Sequence, residues 1–185
     1  QYEAYVDLSK SIEEIWSGFR KSYKPLINSS KKLWKTSIVP KSEISLQFPR
    51  FQELHFKAAG MHTRSQRSWL FHEQALMSDQ AFLVMQYDQQ DQAVGGALFL
   101  LTRDEAYYGV AAFDRSLFHK PVGHIVQFVA IKELIRLGIS RYRIGRCYFP
   151  SDSSSVSKKD LSISRFKSGF TDTFLINYAF HDSLS

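Results

Sequence analysis

Residues 93–101 read AVGGALFLL and residues 106–112 read AYYGVAA, with Arg103–Glu105 between them. The first run is almost wholly apolar, as a strand covered on both faces is, and the second follows it after a turn. Working backwards, Ala81–Tyr87 is a further strand and Gln89–Gln92 the turn that joins it to residue 93. Working forwards, a loop at 113–120 leads into a helix opened by Pro121, a favoured first-turn residue. That helix shows Ile125, Phe128, Val129, Lys132 and Leu137 and stops at Gly138. Arg141–Gly145 is a short strand, Asp160–Ser168 a short helix and Thr173–Phe180 a last strand. The strands joined by the Pro121 helix should lie parallel.

The N-terminal third is read as helical. Residues 11–36 carry an apolar stripe at Ile12, Ile15, Trp16 and Phe19 behind a capping box at Ser11 and Glu14. Pro25 should break this segment and leave a second helix from Leu26 to Lys35. A helix from Pro49 to Ala59 ends at Gly60, and another starts near Ser65 with Trp69, His72 and Leu76 along one side. The order is helices, then strand, strand, strand, helix, strand, helix, strand. It predicts an α+β fold with a mixed sheet flanked by helices. The Ser-rich run Ser151–Ser157 reads as a surface loop.

Composition bounds the function classes. The chain has 185 residues, 44% hydrophobic, with 15 Phe, 9 Tyr and 3 Trp, which supports a folded core and argues against disorder. The lone Cys147 excludes a disulfide framework and fits a reducing compartment. No apolar run approaches the roughly 18 residues of a membrane span. A cytoplasmic protein is the expectation. The chain opens on Gln1 and runs straight into patterned sequence, so an upstream segment is also expected. The formal charge of +6 points to anionic partners: nucleic acid, a nucleotide-linked sugar, coenzyme A or an anionic membrane surface.

No GxSxG, Walker or Rossmann motif is present. HExxH is absent and no histidine pair has metal spacing, so no metal is expected. Between Ile15 and Ser42 stand seven cations and no acid, among them Lys21 and Lys24. Such a run either contacts phosphates or forms a solvated helix face. Thr63, Arg64 and Ser65 lie at a loop-to-helix junction, where backbone N–H groups and a guanidinium favour an anion; alternatively Ser65 caps the helix and Arg64 is solvated. His55, His62, His72, His119 and His124 can each act as a base near neutral pH; His124 and His55 are the two candidates carried forward. Of Tyr107 and Tyr108, which alternate on a strand, one faces the core; the other, with Tyr108 preferred, is free to meet a substrate.

Val94–Phe180 resembles the FemAB-like branch of the GNAT-type N-acyltransferases. The resemblance rests on the Gly-Gly strand, Tyr107-Tyr108-Gly109, the helix ending Leu137-Gly138, the Tyr142–Gly145 strand, and Ile163-Ser164-Arg165-Phe166-Lys167-Ser168-Gly169-Phe170. The last block is similar to the FK-x-GF signature of that family and is the most specific piece. The Glu13–Trp16 helix, the basic 20–35 segment and Thr63–Trp69 extend the likeness over nearly the whole chain. Members usually have two GNAT-like domains; this chain accounts for one, spanning 1–185, and can be the C-terminal half of a longer protein. The classical coenzyme A loop (Q/R-x-x-G-x-G/A) is missing, with Lys120-Pro121-Val122-Gly123-His124 in its place.

The resemblance implies an N-acyltransferase acting on an amine of a peptidoglycan or polysaccharide precursor, with aminoacyl-tRNA or acyl-CoA as donor and no resident cofactor. It implies Lys167 as the catalytic cation, beside Phe166; His124, at the start of the donor-side helix, is the further catalytic candidate read from the residues. The resemblance favours Lys21 and Lys24 for an acceptor phosphate, while Arg64, Thr63, Ser65, Tyr108 and His55 are the substrate-binding candidates read from the residues themselves. Coenzyme A-dependent acetylation of an amino sugar or amino acid, and a non-catalytic binding module, are the rival expectations. Peripheral association with a membrane fits the same charge balance.

Overall fold

The computed structural model describes residues 2–152 and 156–177. In chain order the elements are β1 (Tyr2–Asp7), α1 (Ile12–Gly18), α2 (Tyr23–Leu33), β2 (Lys35–Ile38), α3 (Ile44–Ala59), α4 (Gln66–Met77), β3 (Ala81–Tyr87), β4 (Ala93–Leu101), β5 (Glu105–Phe113), α5 (His124–Arg136), β6 (Arg141–Cys147), α6 (Lys158–Lys167) and β7 (Phe174–Ile176). One seven-stranded mixed sheet runs in the order β2-β3-β4-β5-β6-β1-β7.

β3, β4 and β5 form an antiparallel meander, and the α5 crossover delivers β6 parallel to β5, as its pattern required. Two features open the sheet there. The parallel pairing holds only from Glu105–Arg141 to Tyr107–Arg143, and beyond it the strands separate. Just past that point β5 shifts register against β4, so that Leu98 pairs with Val110 and Phe99 with Tyr108, leaving Gly109 as a bulge. The sheet therefore splits at the carboxyl ends of its two parallel strands.

Each face has its own core. On one, Ile15, Phe19, Tyr23 and Ile27 of α1 and α2 and Val126, Ala130, Ile131 and Leu134 of α5 pack on Val84, Ala97, Phe99 and Tyr142. On the other, Phe48, Phe51 and Leu54 of α3 and Ala75 and Leu76 of α4 cover Leu83, Met85, Leu98 and Val110. Burying a side chain of this size contributes roughly 1.5–3 kcal/mol, so these two layers dominate the fold's stability.

Several boundaries differ from the sequence reading. Pro25 opens α2 instead of breaking a helix: it is the third residue, where the amide it lacks has no intrahelical acceptor. The helix then ends at Leu33, and Lys35–Ile38 pairs with β3 as an edge strand. Pro49 lies inside α3, which begins at Ile44; its exposed position leaves the carbonyl that loses a partner open to water. Pro121 does not open α5. Gly123, at φ +85°, turns the chain into a helix that begins at His124, while the Pro121 carbonyl accepts from the Ser30 hydroxyl and the Trp34 indole. β1 was not foreseen at all; it fills the gap between β6 and β7, antiparallel to both. The expected strand to Phe180 is seen as Phe174–Ile176, and residues 178–180 lie outside the described residues. The capping box of α1, the Gly60 close of α3 and the Ser65 cap of α4 form as read.

Candidate active site

Ligands of open α/β sheets enter where strand order diverges, at the carboxyl ends. Here that place lies between β5 beyond Tyr107 and β6 beyond Arg143, with the start of α5 and the end of α6 alongside. α6 is tied to β6 by its own polar residues. The Ser157 hydroxyl caps it by accepting from Asp160 N (3.1 Å), and Ser164 Oγ accepts from Tyr148 N (2.9 Å) while donating to the Asp160 carbonyl (2.7 Å).

This docking lays Lys167 along β6. Its Nζ donates to the Arg146 carbonyl at 3.2 Å and stands 3.1 Å from where a Cβ on Gly145 would be. Gly145 holds φ +108°, a conformation that L side chains rarely adopt, and its bare Cα gives the ammonium its place. Lys167 is half-buried. Burial pushes its pKa below the ordinary lysine value, against the opposing pull of the Cys147 thiol and Glu3, with Arg146 adding to the depression.

The preceding residue, Phe166, meets His124. The imidazole is caged edge-on by Tyr23 (4.6 Å between ring centres) and Phe166 (5.3 Å), and Phe170 closes the group against Tyr23 (4.9 Å) and Phe166 (5.2 Å). Burial lowers the His124 pKa and favours the neutral ring at pH 7, against an opposing backbone hydrogen bond at Val122. Of the three residues expected at the catalytic centre, Phe166 and His124 are in contact, and Lys167, the next residue of α6, reaches β6.

The base of the cleft holds a polar group in an apolar setting. Tyr142, fully buried, donates to Gln127 Oε1, and Tyr108 lies beside the same amide, its phenol pKa driven up by burial. Tyr107 faces the other way, donating to Glu105 Oε2 (2.7 Å) and accepting from Arg143 (3.1 Å), so Tyr108, expected to meet a substrate, is instead the tyrosine that packs on the core, against Phe99 (5.6 Å between ring centres).

Thr63, Arg64 and His55 come together elsewhere, in a cavity of about 520 Å³ between α3 and α4 whose walls include Trp69, Phe56 and His62. The Ser65 hydroxyl is occupied in capping α4 and does not line it. Arg64 is half-buried and forms no ion pair or side-chain hydrogen bond with another described residue. Burial, and then the Arg64 charge, hold His55 and His72 below the usual histidine pKa. The cavity is on the face opposite α5. It still flanks the same edge, because Lys57 near the end of α3 pairs with Asp114 just past β5 (2.9 Å). The Ser116 hydroxyl and Lys57 hold the Asp114 carboxyl down to about 2.

Lys21 is exposed at the start of α2, and Lys24 donates to the Ser17 carbonyl (3.3 Å), so the basic segment borders the His124 side without entering it. Sequence reasoning missed Arg20, Tyr23, Gln127 and Tyr142. Only Gln127 left a signal, a lone amide within the apolar run of α5. Among the described residues no group of three or more His, Cys, Asp or Glu side chains could hold a metal ion, and no helix is long and apolar enough to cross a membrane.

No curated protein sequence matches the chain. Solved structures do. FemX superposes with a TM-score of 0.69 at 12% identity over 91% of this chain and 58% of its own. The C-terminal domain of a putative lysylphosphatidylglycerol synthetase from Agrobacterium fabrum gives 0.66 at 12% identity, over 94% and 57%. An aminoglycoside acetyltransferase from an uncultured soil metagenomic sample, in complex with sisomicin, gives 0.60 at 11% identity, over 82% and 97%. The chain therefore spans less than two thirds of the first two and nearly all of the third. At these identities the likeness is one of fold. A family model described as an acetyltransferase (GNAT) domain matches residues 44–154, from the start of α3 past the end of β6. That span includes the split between β5 and β6, and on this match the chain belongs to the GNAT acetyltransferase domain family.

Proposed function

We propose that this domain is an N-acyltransferase that moves an acyl or aminoacyl group directly onto an amine of a cell-envelope precursor. The observation that carries this reading is the Lys167 ammonium, half-buried against β6 past its pairing with β5 and one residue along from the His124–Phe166 contact. The donor carbonyl lies near Lys167. The neutral amine attacks it, an N–C bond forms, and the oxyanion is stabilised by the ammonium, an effect worth roughly 3 kcal/mol for one preorganised donor. Collapse breaks the C–O bond of an ester donor or the C–S bond of a thioester. The proton lost by the amine passes through neutral His124 to the leaving group. Arg64, with Thr63 and His55, takes an anionic part of the acceptor, and Lys21 and Lys24 attract phosphates to the opposite flank.

The donor is aminoacyl-tRNA in this reading. In support, the turn before α5 is filled: the Phe113 ring lies 3.1 Å from the Cβ position of Gly123, and the Pro121 carbonyl is taken by α2 side chains. The Val122 amide at that turn is likewise bonded to the Lys120 carbonyl (2.9 Å), so it is not free to join a diphosphate cradle. The second reading is coenzyme A-dependent acetylation of an amino sugar, favoured by a fold that covers nearly the whole of the aminoglycoside acetyltransferase. Transfer to an envelope-precursor amine is assayed with charged tRNA and with acetyl-CoA, each with and without ribonuclease. Ribonuclease-sensitive aminoacyl transfer is expected; transfer from acetyl-CoA alone replaces the first reading with the second. The two-domain architecture belongs to the same proposal, with this chain as one GNAT-like domain of a longer protein.

A further inference from the structure

The last carbonyls of a helix have no partner within it. At the end of α6 they are met by side chains from the segment between α1 and α2, some 145 residues earlier. One guanidinium nitrogen of Arg20 donates to the Arg165 carbonyl (2.9 Å) and to the Tyr23 hydroxyl (3.2 Å), and the other donates to Ser168 Oγ (3.2 Å). The Arg20 amide donates to the Gly169 carbonyl (2.8 Å). The Tyr23 hydroxyl shares its proton between the carbonyls of Arg165 (3.2 Å) and Phe166 (3.1 Å). The Tyr23 ring lies flat over Gly169, where a Cβ would come within 2.1 Å of it.

These contacts enclose Lys167. The residues bound on either side of it are 165, 166, 168 and 169, while its own side chain is committed to β6. A cation at a helix C-terminus is favourable in any case, and α6 already carries Arg165 and Lys167 in its last turn. The extra fork from Arg20 therefore adds little that local electrostatics lacks; what it adds is a fixed direction for the end of the helix.

We infer that Arg20 and Tyr23 are positioning residues: they clamp the carbonyl end of α6 and so fix where Lys167 and Phe166 stand relative to β6 and His124. The inference rests on the catalytic role proposed for Lys167. It explains why a glycine follows the Phe-Lys pair, since only a residue without Cβ admits the tyrosine ring. It also gives the Arg20–Tyr23 pair a role other than phosphate binding, although both belong to the basic segment.

The test uses the full chain and two readouts. The first is the pH dependence of Lys167 acetylation by acetic anhydride, followed by peptide mass spectrometry, with exposed Lys158 as internal reference. The second is transfer activity with the donor that supports turnover. In Arg20→Gln and Tyr23→Phe the limiting Lys167 labelling rate at high pH rises severalfold against Lys158. Its midpoint moves up toward an ordinary lysine as the side chain leaves its half-buried place beside Cys147, Glu3 and Arg146. In the same variants kcat falls, on the order of 100-fold for a displacement near 1 Å, while the acceptor KM holds. Arg20→Lys, which keeps the charge and one bond, restores part of both.

Wild-type labelling and kcat in both variants overturn the inference. If Arg20→Gln does not fold, Tyr23→Phe decides, because it keeps the ring and removes only the hydroxyl. A Lys167→Met chain that retains full transfer overturns instead the reading on which the inference rests, and the labelling experiment then still reports whether the clamp sets the lysine's environment.

Discussion

The two faces of the sheet handle a half-buried cation in opposite ways. On the α5 and α6 face, Lys167 donates to a β6 carbonyl, lies over a glycine and belongs to a helix whose end is bound by Arg20 and Tyr23. On the α3 and α4 face, Arg64 lines an open cavity and makes no ion pair or side-chain hydrogen bond with a described residue. A cation taken from water without a partner is costly, and the cost is recovered only when an anion arrives. Lys167 is thus held where it is, and Arg64 is the cation proposed to receive an acceptor anion. Around Arg64 the surface is also more apolar. Of the twelve large apolar side chains exposed among the described residues, six lie between Leu46 and Met77, including Phe56, Met61 and Leu70 at the cavity.

The comparison breaks most visibly at Lys167. Lys167→Met should cut kcat by about 100- to 1000-fold, the scale of losing one preorganised oxyanion donor. Thermal unfolding should stay within a degree or two of wild type, because a half-buried cation is replaced by an apolar chain of similar length. A full-rate Lys167→Met protein would place the chemistry elsewhere. Arg64→Ala should act on the other term: acceptor KM rises about tenfold or more, the equivalent of one charged hydrogen bond at roughly 1.5–3 kcal/mol, and kcat changes little. Steady-state kinetics over the acceptor concentration separate the two. A fall in kcat with unchanged KM for Arg64→Ala would erase the distinction between the faces.

Much of this contrast was legible before any coordinates. The strands 81–87 and 93–101 and the α5 crossover carry their own apolar period, and the Phe166-Lys167 block marks the face proposed as catalytic. What was not legible depends on distant partners. β1 shows little by itself because its reason to be a strand is β6, some 140 residues on, and β2 is a four-residue edge strand with only alternate positions half-buried. Pro25 and Pro49 were misread for one reason: a proline's effect depends on whether its missing amide had an acceptor, which local sequence does not say. Arg20 was counted among phosphate-seeking cations, since nothing near it announces the α6 carbonyls it binds.

Gly169 tests the packing behind the Lys167 face. Gly169→Ala forces a Cβ against the Tyr23 ring, and overpacking of this kind typically costs about 1–3 kcal/mol. At roughly 2–4 °C per kcal/mol for a chain of this size, calorimetry should show a fall in Tm of several degrees. Tyr23→Leu combined with Gly169→Ala should recover part of it, because the ring that clashes is gone. Equal Tm in wild type and Gly169→Ala would mean the ring has room to move.

The smallest effect lies in the histidines and concerns Arg64 again. Burial and the Arg64 charge lower the pKa of His55 and His72, and burial lowers that of His124. A histidine whose folded pKa is depressed binds its proton more readily in the unfolded chain. Stability is then complete above about pH 6.5 and falls as the pH drops below it toward the folded values. Arg64→Ala removes the second cause for His55 and His72 and leaves His124 as it was. Imidazole NMR titration should therefore show the first two pKa values rising and the third unmoved, and Tm should fall less between pH 7 and 5.5 than in wild type. An unchanged His72 titration would mean that its depression comes from burial alone and that Arg64 does not face it. That outcome would take away the electrostatic side of the contrast between the two faces while leaving the cavity in place.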